Sequence, residues 1–119
     1  MTMPKEIAEI LRKAKALIDA PEKWTKGAFA RDRSGGSVPI AGDEACAFCA
    51  AGAIYSVIDK FNAAEFDLED RAASAIGQAV GGSIAGFNDD EDTTHADVMA
   101  AFDRAIATES ATPTAAGAE

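Results

Sequence analysis

The stretch that decides the fold is Asp43-Glu-Ala-Cys-Ala-Phe-Cys-Ala-Ala-Gly-Ala-Ile-Tyr-Ser-Val-Ile-Asp-Lys60. Residues 45–58 carry no charged side chain, whereas charges resume at both ends. This run is too short to cross a bilayer, which needs about 20 residues. It is typical of a helix that is apolar on most sides and therefore buried. We predict a central buried helix from Ala45 onward, with Asp43 and Glu44 at its positive end.

Three other segments have the spacing of amphipathic helices that pack around this centre. Apolar residues recur three and four positions apart in residues 4–20, 67–80 and 94–108. Thr94 and Asp97 have the spacing of a capping box, which marks a helix start. Residues 83–87 predict one short helical turn. The fold class is therefore mainly α: a compact single-domain helical bundle around a buried central helix, spanning residues 1–108.

Two segments lack a helical period. In residues 28–42, Gly35-Gly36 stands between two short apolar arms, which predicts a small hairpin or an irregular loop. Pro39 restricts the second arm to a sheet edge. Residues 109–119 have no apolar period and predict a disordered tail.

The charge is acidic and unevenly distributed. The net charge is −9, from 11 basic and 20 acidic residues. Residues 1–33 hold eight bases and five acids, whereas residues 34–119 hold three bases and fifteen acids. Such a balance repels phosphate backbones and argues against direct binding of nucleic acid. Charges also interrupt the N-terminal segment, so we expect a cytoplasmic protein without a signal peptide or membrane contact.

Five motifs occur in a characteristic order along the chain: Trp24-Thr-Lys-Gly27, Ala30-Arg-Asp32, Cys49-Ala-Ala-Gly-Ala-Ile54, Ser83-Ile-Ala-Gly-Phe-Asn-Asp89 and Thr94-His-Ala-Asp-Val98. Together they resemble a family of small bacterial and phage proteins of unknown function. Its members share a Trp-Thr-x-Gly turn, a Cys-Ala-x-Gly-Ala-Leu segment, a Ser-Ile-x-x-Trp-Asn-Asp segment and a Thr-His pair. The resemblance covers roughly residues 7–107.

The chain departs from that family pattern at two positions. Phe87 stands where the family tends to have Trp, and Cys46 has no counterpart in the pattern. The resemblance implies no activity. It does direct attention to four residues as site candidates: Cys49, Asn88, Asp89 and His95.

Cys46 and Cys49 form a Cys-x-x-Cys pair, which the predicted helix would place on one face. A thioredoxin-like redox motif requires a preceding strand in a βαβ setting, and none is predicted. A zinc site would need His95 and Asp89 as further ligands. The plainer interpretation is a pair of small buried hydrophobic side chains, a common environment for free cysteine.

A catalytic interpretation combines Cys49 as nucleophile, His95 as base and Asn88 or Asp89 as the residue that orients the base. A cysteine near a helix start gains thiolate stability from the helix dipole. Burial inside a helix would instead raise the pKa of the thiol. His95 also fits a hydrogen-bonded structural residue on the face of the last helix.

The acidic run Asn88-Asp-Asp-Glu-Asp92 resembles a calcium loop only superficially. It lacks the alternating acids, the glycine and the closing Glu of an EF-hand. The alternative is a solvated loop in which Asn88 or Asp89 caps a helix end. We expect no metal and no cofactor.

Three functions remain open from the sequence. The leading hypothesis is a non-enzymatic accessory or binding protein, of phage or mobile-element origin. It would recognise a protein partner or a small ligand through loop residues, since loops often carry recognition. The proposed binding residues are Trp24, Arg31, Asp32 and Asp89. The second is a hydrolase or transferase that uses Cys49 and His95. The third is an acidic antagonist or nucleic-acid mimic directed at a basic enzyme, and homo-oligomers are possible.

Overall fold

Helices form most of the chain in this computed structural model, which describes residues 4–60 and 67–111. Five α-helices, one 3-10 turn and two short strands occur in these residues. In chain order they are α1 (Pro4–Leu17), the 3-10 turn (Pro21–Lys23), β1 (Ala30–Arg31), β2 (Ala47–Phe48), α2 (Ala50–Lys60), α3 (Asp67–Val80), α4 (Ile84–Asp89) and α5 (His95–Ala111). The predicted mainly helical fold is confirmed.

The core lies between α1, α2, α3 and α5. Each of these helices contributes a large side chain that is fully buried: Leu11, Ile54, Ile76 and Phe102. Helix α2 contacts α1, α3 and α4. Helix α5 lies mainly against α1 and α3 rather than against α2, which differs from the predicted arrangement. Helix α4 and strand β2 instead contact α2.

The central apolar stretch is not helical throughout, which corrects the prediction for residues 45–49. Ala47 and Phe48 form β2, which pairs antiparallel with β1 in the register Ala30↔Phe48 and Arg31↔Ala47. Helix α2 begins only at Ala50. Both segments are buried, and a short apolar run has the same composition whether it becomes a buried strand or a buried helix. Asp43 and Glu44 therefore do not lie in the first turn of α2.

The predicted hairpin in residues 28–42 is present only as a turn and a single bridge, because β1 pairs mainly with β2. A turn over residues 32–36 is closed by a bond from Asp32 N to Gly36 O at 2.9 Å. The returning arm makes a single bridge between Arg31 and Ser37, and the longer partner of β1 is β2. Pro39 lacks an N–H, which explains why the returning arm does not extend into a strand.

The predicted helix ends are confirmed at two places and corrected at a third. Thr94 and Asp97 exchange backbone-to-side-chain bonds of 3.0 and 3.1 Å, which is the capping box at the start of α5. The Ser83 hydroxyl accepts from Gly86 N at the start of α4. Helix α5 continues to Ala111, so residues 109–111 are helical rather than part of a tail. Arg12 Nη2 donates to Ser110 Oγ at 2.9 Å, which ties this last turn to α1.

The remainder of the predicted tail, residues 112–119, lies outside the described residues. None of the helices in residues 4–60 and 67–111 has the length and apolar character that crossing a membrane requires.

Candidate functional site

Asn88 is the centre of a polar cluster that joins three parts of the fold. Its side chain is 1% exposed and makes four hydrogen bonds. Oδ1 accepts from Trp24 Nε1 at 2.7 Å and from Ala50 N at 3.0 Å. Nδ2 donates to Thr25 O at 3.1 Å and to Asp89 Oδ1 at 3.0 Å. Asn88 thus satisfies the first amide of α2 and caps a helix end, as predicted. It does so from a buried position within α4, which corrects the prediction that it lies in a solvated loop.

Trp24 covers this cluster from the side of the 3-10 turn. Its half-buried indole bonds to Asn88, while its backbone makes a bridge with Phe48 of β2. The Lys26 ammonium lies 5.4 Å from the centre of the indole ring, and the His95 ring lies 6.0 Å from it. Trp24 is therefore held on several sides, with its polar atom at the edge of the core.

Asp89 links α4 to the loop that follows Trp24. Its Oδ1 accepts from Gly27 N at 3.0 Å as well as from the Asn88 amide. These two bonds, the one from Asn88 first, lower the pKa of the exposed Asp89 carboxyl, and nearby Lys26 adds a smaller effect. Because hydrogen bonds to the charged form favour it, Asp89 is ionised at neutral pH.

Cys49 occupies the position just before α2, at the junction with β2. Its carbonyl accepts from Ala53 N, and its Sγ accepts from Gly52 N at 3.2 Å. The thiol is buried, and burial raises its pKa more than the backbone hydrogen bonds from Gly52 and Ala51 lower it. Although Cys49 lies at a helix start, its thiol is therefore protonated at neutral pH.

Cys46 does not share a helical face with Cys49, which corrects the sequence prediction for the pair. Cys46 lies before β2 and is exposed, not buried. Its N–H donates to Arg31 O at 2.9 Å. Within residues 4–60 and 67–111, no three His, Cys, Asp or Glu side chains are grouped closely enough to hold a metal ion. The zinc arrangement of Cys46, Cys49, His95 and Asp89 is thus not assembled.

A cleft of about 330 Å³ opens beside Asn88 and Asp89. Phe29 is 56% exposed at the cleft, and its ring lies 5.6 Å from that of Tyr55. Small side chains and polar groups complete the lining, which consists of Gly27, Ala28, Phe29, Ser37, Cys49, Ala51, Ala85, Asn88 and Asp89. Most of the exposed surface in the cleft is therefore contributed by apolar groups, and Asp89 supplies one carboxylate.

The cleft brings together two of the three proposed catalytic residues. Cys49 and Asn88 both line it, whereas His95 does not. His95 Nε2 lies 2.7 Å from Ile18 O, and because a carbonyl only accepts, this nitrogen carries the proton. Trp24 contacts both Asn88 and His95. The Asn88 side chain bonds to Trp24, Thr25, Ala50 and Asp89 rather than to His95.

Arg31 and Asp32, two of the proposed binding residues, hold the neighbouring loop in shape. The Arg31 guanidinium donates to Thr25 Oγ1, Lys26 O and Gly35 O at 2.8–3.0 Å. Asp32 Oδ1 accepts from two amides of its own turn at 2.9 Å each. Sequence reasoning did not identify Ala51 and Ala85 as cleft residues, because an alanine gives no signal that separates a cleft wall from a core.

These observations define a small helical protein in which loop residues, the start of α2 and helix α4 form a cleft beside a buried asparagine. The chain belongs to the family of unknown function designated DUF6197, whose model matches residues 2–108. This confirms the family resemblance seen in the motifs. No curated protein and no solved structure matches the chain.

Proposed function

We propose that this protein is a non-enzymatic binding module that recognises a group of a protein partner in the cleft beside Asp89. One observation carries the proposal. The loop at residues 24–29 and the end of α4 are joined through Asn88 and Asp89, and the cleft that they border remains open. Asn88 itself is fully hydrogen-bonded, so it supports the cleft as a rigid element. A cytoplasmic location and a phage or mobile-element origin stay predictions.

The chemistry of the cleft suits recognition. Binding sites combine apolar surface with a small number of placed polar groups, and this cleft combines Phe29 with the Asp89 carboxylate. Phe29 is the one large apolar side chain that is exposed among the residues whose burial the structure describes. Since an exposed aromatic side chain at a cleft often serves as an anchor for a partner, Phe29 is the residue on which we expect affinity to depend.

The test is a fragment screen observed by ¹H–¹⁵N NMR, with neutral, cationic and anionic fragments. The expected result is that at least one class shifts the amide signals of Gly27, Phe29, Ala51 and Asp89 together. Phe29→Ser should abolish these shifts and leave the signals of α3 unchanged. An absence of cleft shifts across the whole screen, with the protein folded, would contradict the proposal.

Cysteine-dependent catalysis is a second candidate, favoured by the position of the Cys49 thiol in the cleft at the start of α2. Its raised pKa argues against a reactive thiolate. Alkylation by iodoacetamide near pH 7 tests it, with exposed Cys46 as the internal reference. If Cys49 reacts at least as fast as Cys46, catalysis gains support. If only Cys46 reacts, this candidate is removed.

A further inference from the structure

We propose that the group bound in the cleft is an arginine side chain of the partner polypeptide, held between the carboxylate of Asp89 and the ring of Phe29. This inference rests on the proposed function and names the chemical class of its ligand. It is drawn from the charge of the cleft, from the unused acceptor capacity of Asp89 and from the size of the cleft.

The charge of the cleft has one sign. Asp89 is the one residue in the lining that is ionised, because the thiol of Cys49 is protonated and the others are uncharged. The net charge of −9 adds a long-range field of the same sign. A cationic group is therefore attracted at a distance and at contact, whereas an anionic group is repelled.

The Asp89 carboxylate has one oxygen left for a ligand. Both hydrogen bonds that the structure shows for this side chain, from Gly27 N and Asn88 Nδ2, end on Oδ1. A carboxylate offers about four acceptor positions, so Oδ2 retains its capacity. The two existing bonds also fix the orientation of the carboxylate before a ligand arrives, which reduces the entropy cost of binding.

The neighbouring cations are engaged elsewhere. The Arg31 guanidinium is held by Thr25, Lys26 and Gly35. The Lys26 ammonium lies against the Trp24 ring and donates to Asp90 O. Neither side chain lines the cleft. Lys26 is near enough to contribute to the lowered pKa of Asp89, but its ammonium donates to Asp90 O rather than to the Asp89 carboxylate.

The size and the aromatic wall favour a guanidinium on a flexible stem. About 330 Å³ lies at the lower end of the range for ligand pockets, roughly 300–1,000 Å³, and fits one side chain better than a large ligand. A planar guanidinium stacks on an aromatic face and is weakly hydrated, whereas an ammonium is compact and strongly hydrated. Arginine should therefore bind more tightly than lysine.

The experiment is an NMR titration with blocked tripeptides, acetyl-Gly-X-Gly-amide. X is arginine, its neutral isostere citrulline, or lysine. The arginine peptide should shift the amides of Gly27, Phe29 and Asp89, and citrulline should bind about two- to five-fold more weakly, as expected for an exposed ion pair. Raising NaCl to 0.5 M should weaken binding of the arginine peptide and leave binding of the citrulline peptide unchanged.

Two variants separate the contributions of the carboxylate and the ring. Asp89→Asn keeps an oxygen for Gly27 N and Asn88 Nδ2, removes the charge, and should make arginine bind no better than citrulline. Phe29→Leu keeps the apolar bulk of the side chain but removes its aromatic face. It should weaken binding of the arginine peptide roughly two- to five-fold. Glu91→Gln removes one charge from an exposed neighbour outside the cleft and should leave binding unchanged.

Equal binding of arginine and citrulline would overturn the arginine assignment. The same holds if fragments of other classes shift the cleft while the arginine peptide does not, and in both cases the proposed function stands. If neither fragments nor peptides shift the cleft, both proposals fail. Cleft shifts that depend on protein concentration without ligand would assign the cleft to a second copy of this chain instead.

Discussion

At the scale of single residues, Asn88 has the greatest structural consequence. It is a buried amide whose four hydrogen bonds reach the 3-10 turn region, the start of α2 and its own neighbour in α4. Buried polar groups are costly unless they are paired. Within the described residues, no buried side-chain polar atom lacks a partner. Asn88 therefore fixes the relative positions of the elements that border the cleft.

We predict that Asn88→Ala lowers the free energy of unfolding by about 2–5 kcal/mol. The substitution leaves the Trp24 indole N–H and the Ala50 N–H without an acceptor, at a cost of about 1–3 kcal/mol for each unpaired group. Urea denaturation measured by circular dichroism gives the value. Trp24→Phe is the matched control, since it removes only one of the four bonds and keeps a ring, and it should cost less than Asn88→Ala. A loss below ~0.5 kcal/mol for Asn88→Ala would contradict this role.

The raised pKa of Cys49 predicts a pH dependence of stability. Above about pH 8.5 the thiol of an unfolded chain loses its proton, whereas the buried thiol keeps it. The unfolded state then binds fewer protons, so the free energy of unfolding falls as pH rises, by at most about 1.4 kcal/mol per pH unit. Below that pH this contribution to stability is fully present.

Urea denaturation at pH 7 to 10 measures this effect. Cys49→Ala should remove the part of the slope that the thiol causes, and Cys46→Ala should keep it, because Cys46 is exposed. Identical slopes for the two variants would show that the Cys49 thiol titrates alike in the folded and the unfolded chain.

At the scale of elements, the start of α2 shows how backbone contacts override local composition. Gly52, in the first turn of α2, packs directly on the backbone of Phe29, just before β1. A Cβ atom at Gly52 would lie 2.1 Å from Phe29 O. Only glycine permits this approach. Phe29 O also accepts from Cys49 N at 3.2 Å, so both contacts hold Phe29 beside the start of α2.

We predict that Gly52→Ala destabilises the protein by about 1–3 kcal/mol, since Phe29 O belongs to the backbone and must move. Alanine's better helix propensity, worth about 1 kcal/mol, acts in the opposite direction and does not compensate. Thermal and urea unfolding measure the change. Gly82→Ala is the control, because a Cβ there meets no atom within 4 Å and the residue has no positive φ. Equal stability of the two variants would contradict the close packing of Gly52 on the backbone of Phe29.

At the scale of the whole molecule, the uneven charge along the chain is partly balanced in space. Helix α1, which belongs to the basic first segment, packs against the acidic helix α5. Lys15 Nζ and Asp103 Oδ1 lie 2.6 Å apart at this contact. Both side chains of this ion pair are partly exposed to solvent, so its contribution to stability is small. Uneven charge along the chain would also allow copies of the protein to associate head to tail, basic segment against acidic segment. The contact between α1 and α5 reduces the charge contrast on which such association would depend. The acidic-antagonist hypothesis stays a prediction from net charge.

We predict a monomer in solution at both 0.05 M and 0.5 M NaCl. The net charge of −9 opposes self-association, and Phe29 provides only a small exposed apolar patch among the described residues. Static light scattering behind a sizing column measures the mass. A mass above that of one chain at 0.05 M NaCl that falls at 0.5 M would show electrostatic head-to-tail association instead.

Much of the helical fold could be predicted, because periodicity and capping are local. The apolar spacing of α1, α3 and α5, the capping box of Thr94 and Asp97, and the short turn of α4 all follow from neighbouring residues. The strand at Ala47–Phe48 could not be predicted, because its hydrogen bonds go to β1, some seventeen positions earlier. Its apolar composition fits a buried helix equally well.

The sequence by itself determined a mainly helical chain of its family, its acidic charge and the loop motifs that later meet. Only the tertiary structure decided that Cys46 faces solvent while Cys49 is buried, and that Asn88 bonds to Trp24 and Ala50. It also decided that Phe29 and Asp89 share a cleft. The physical reason is range: helix periodicity acts over four residues, whereas these contacts join groups 38 to 64 positions apart.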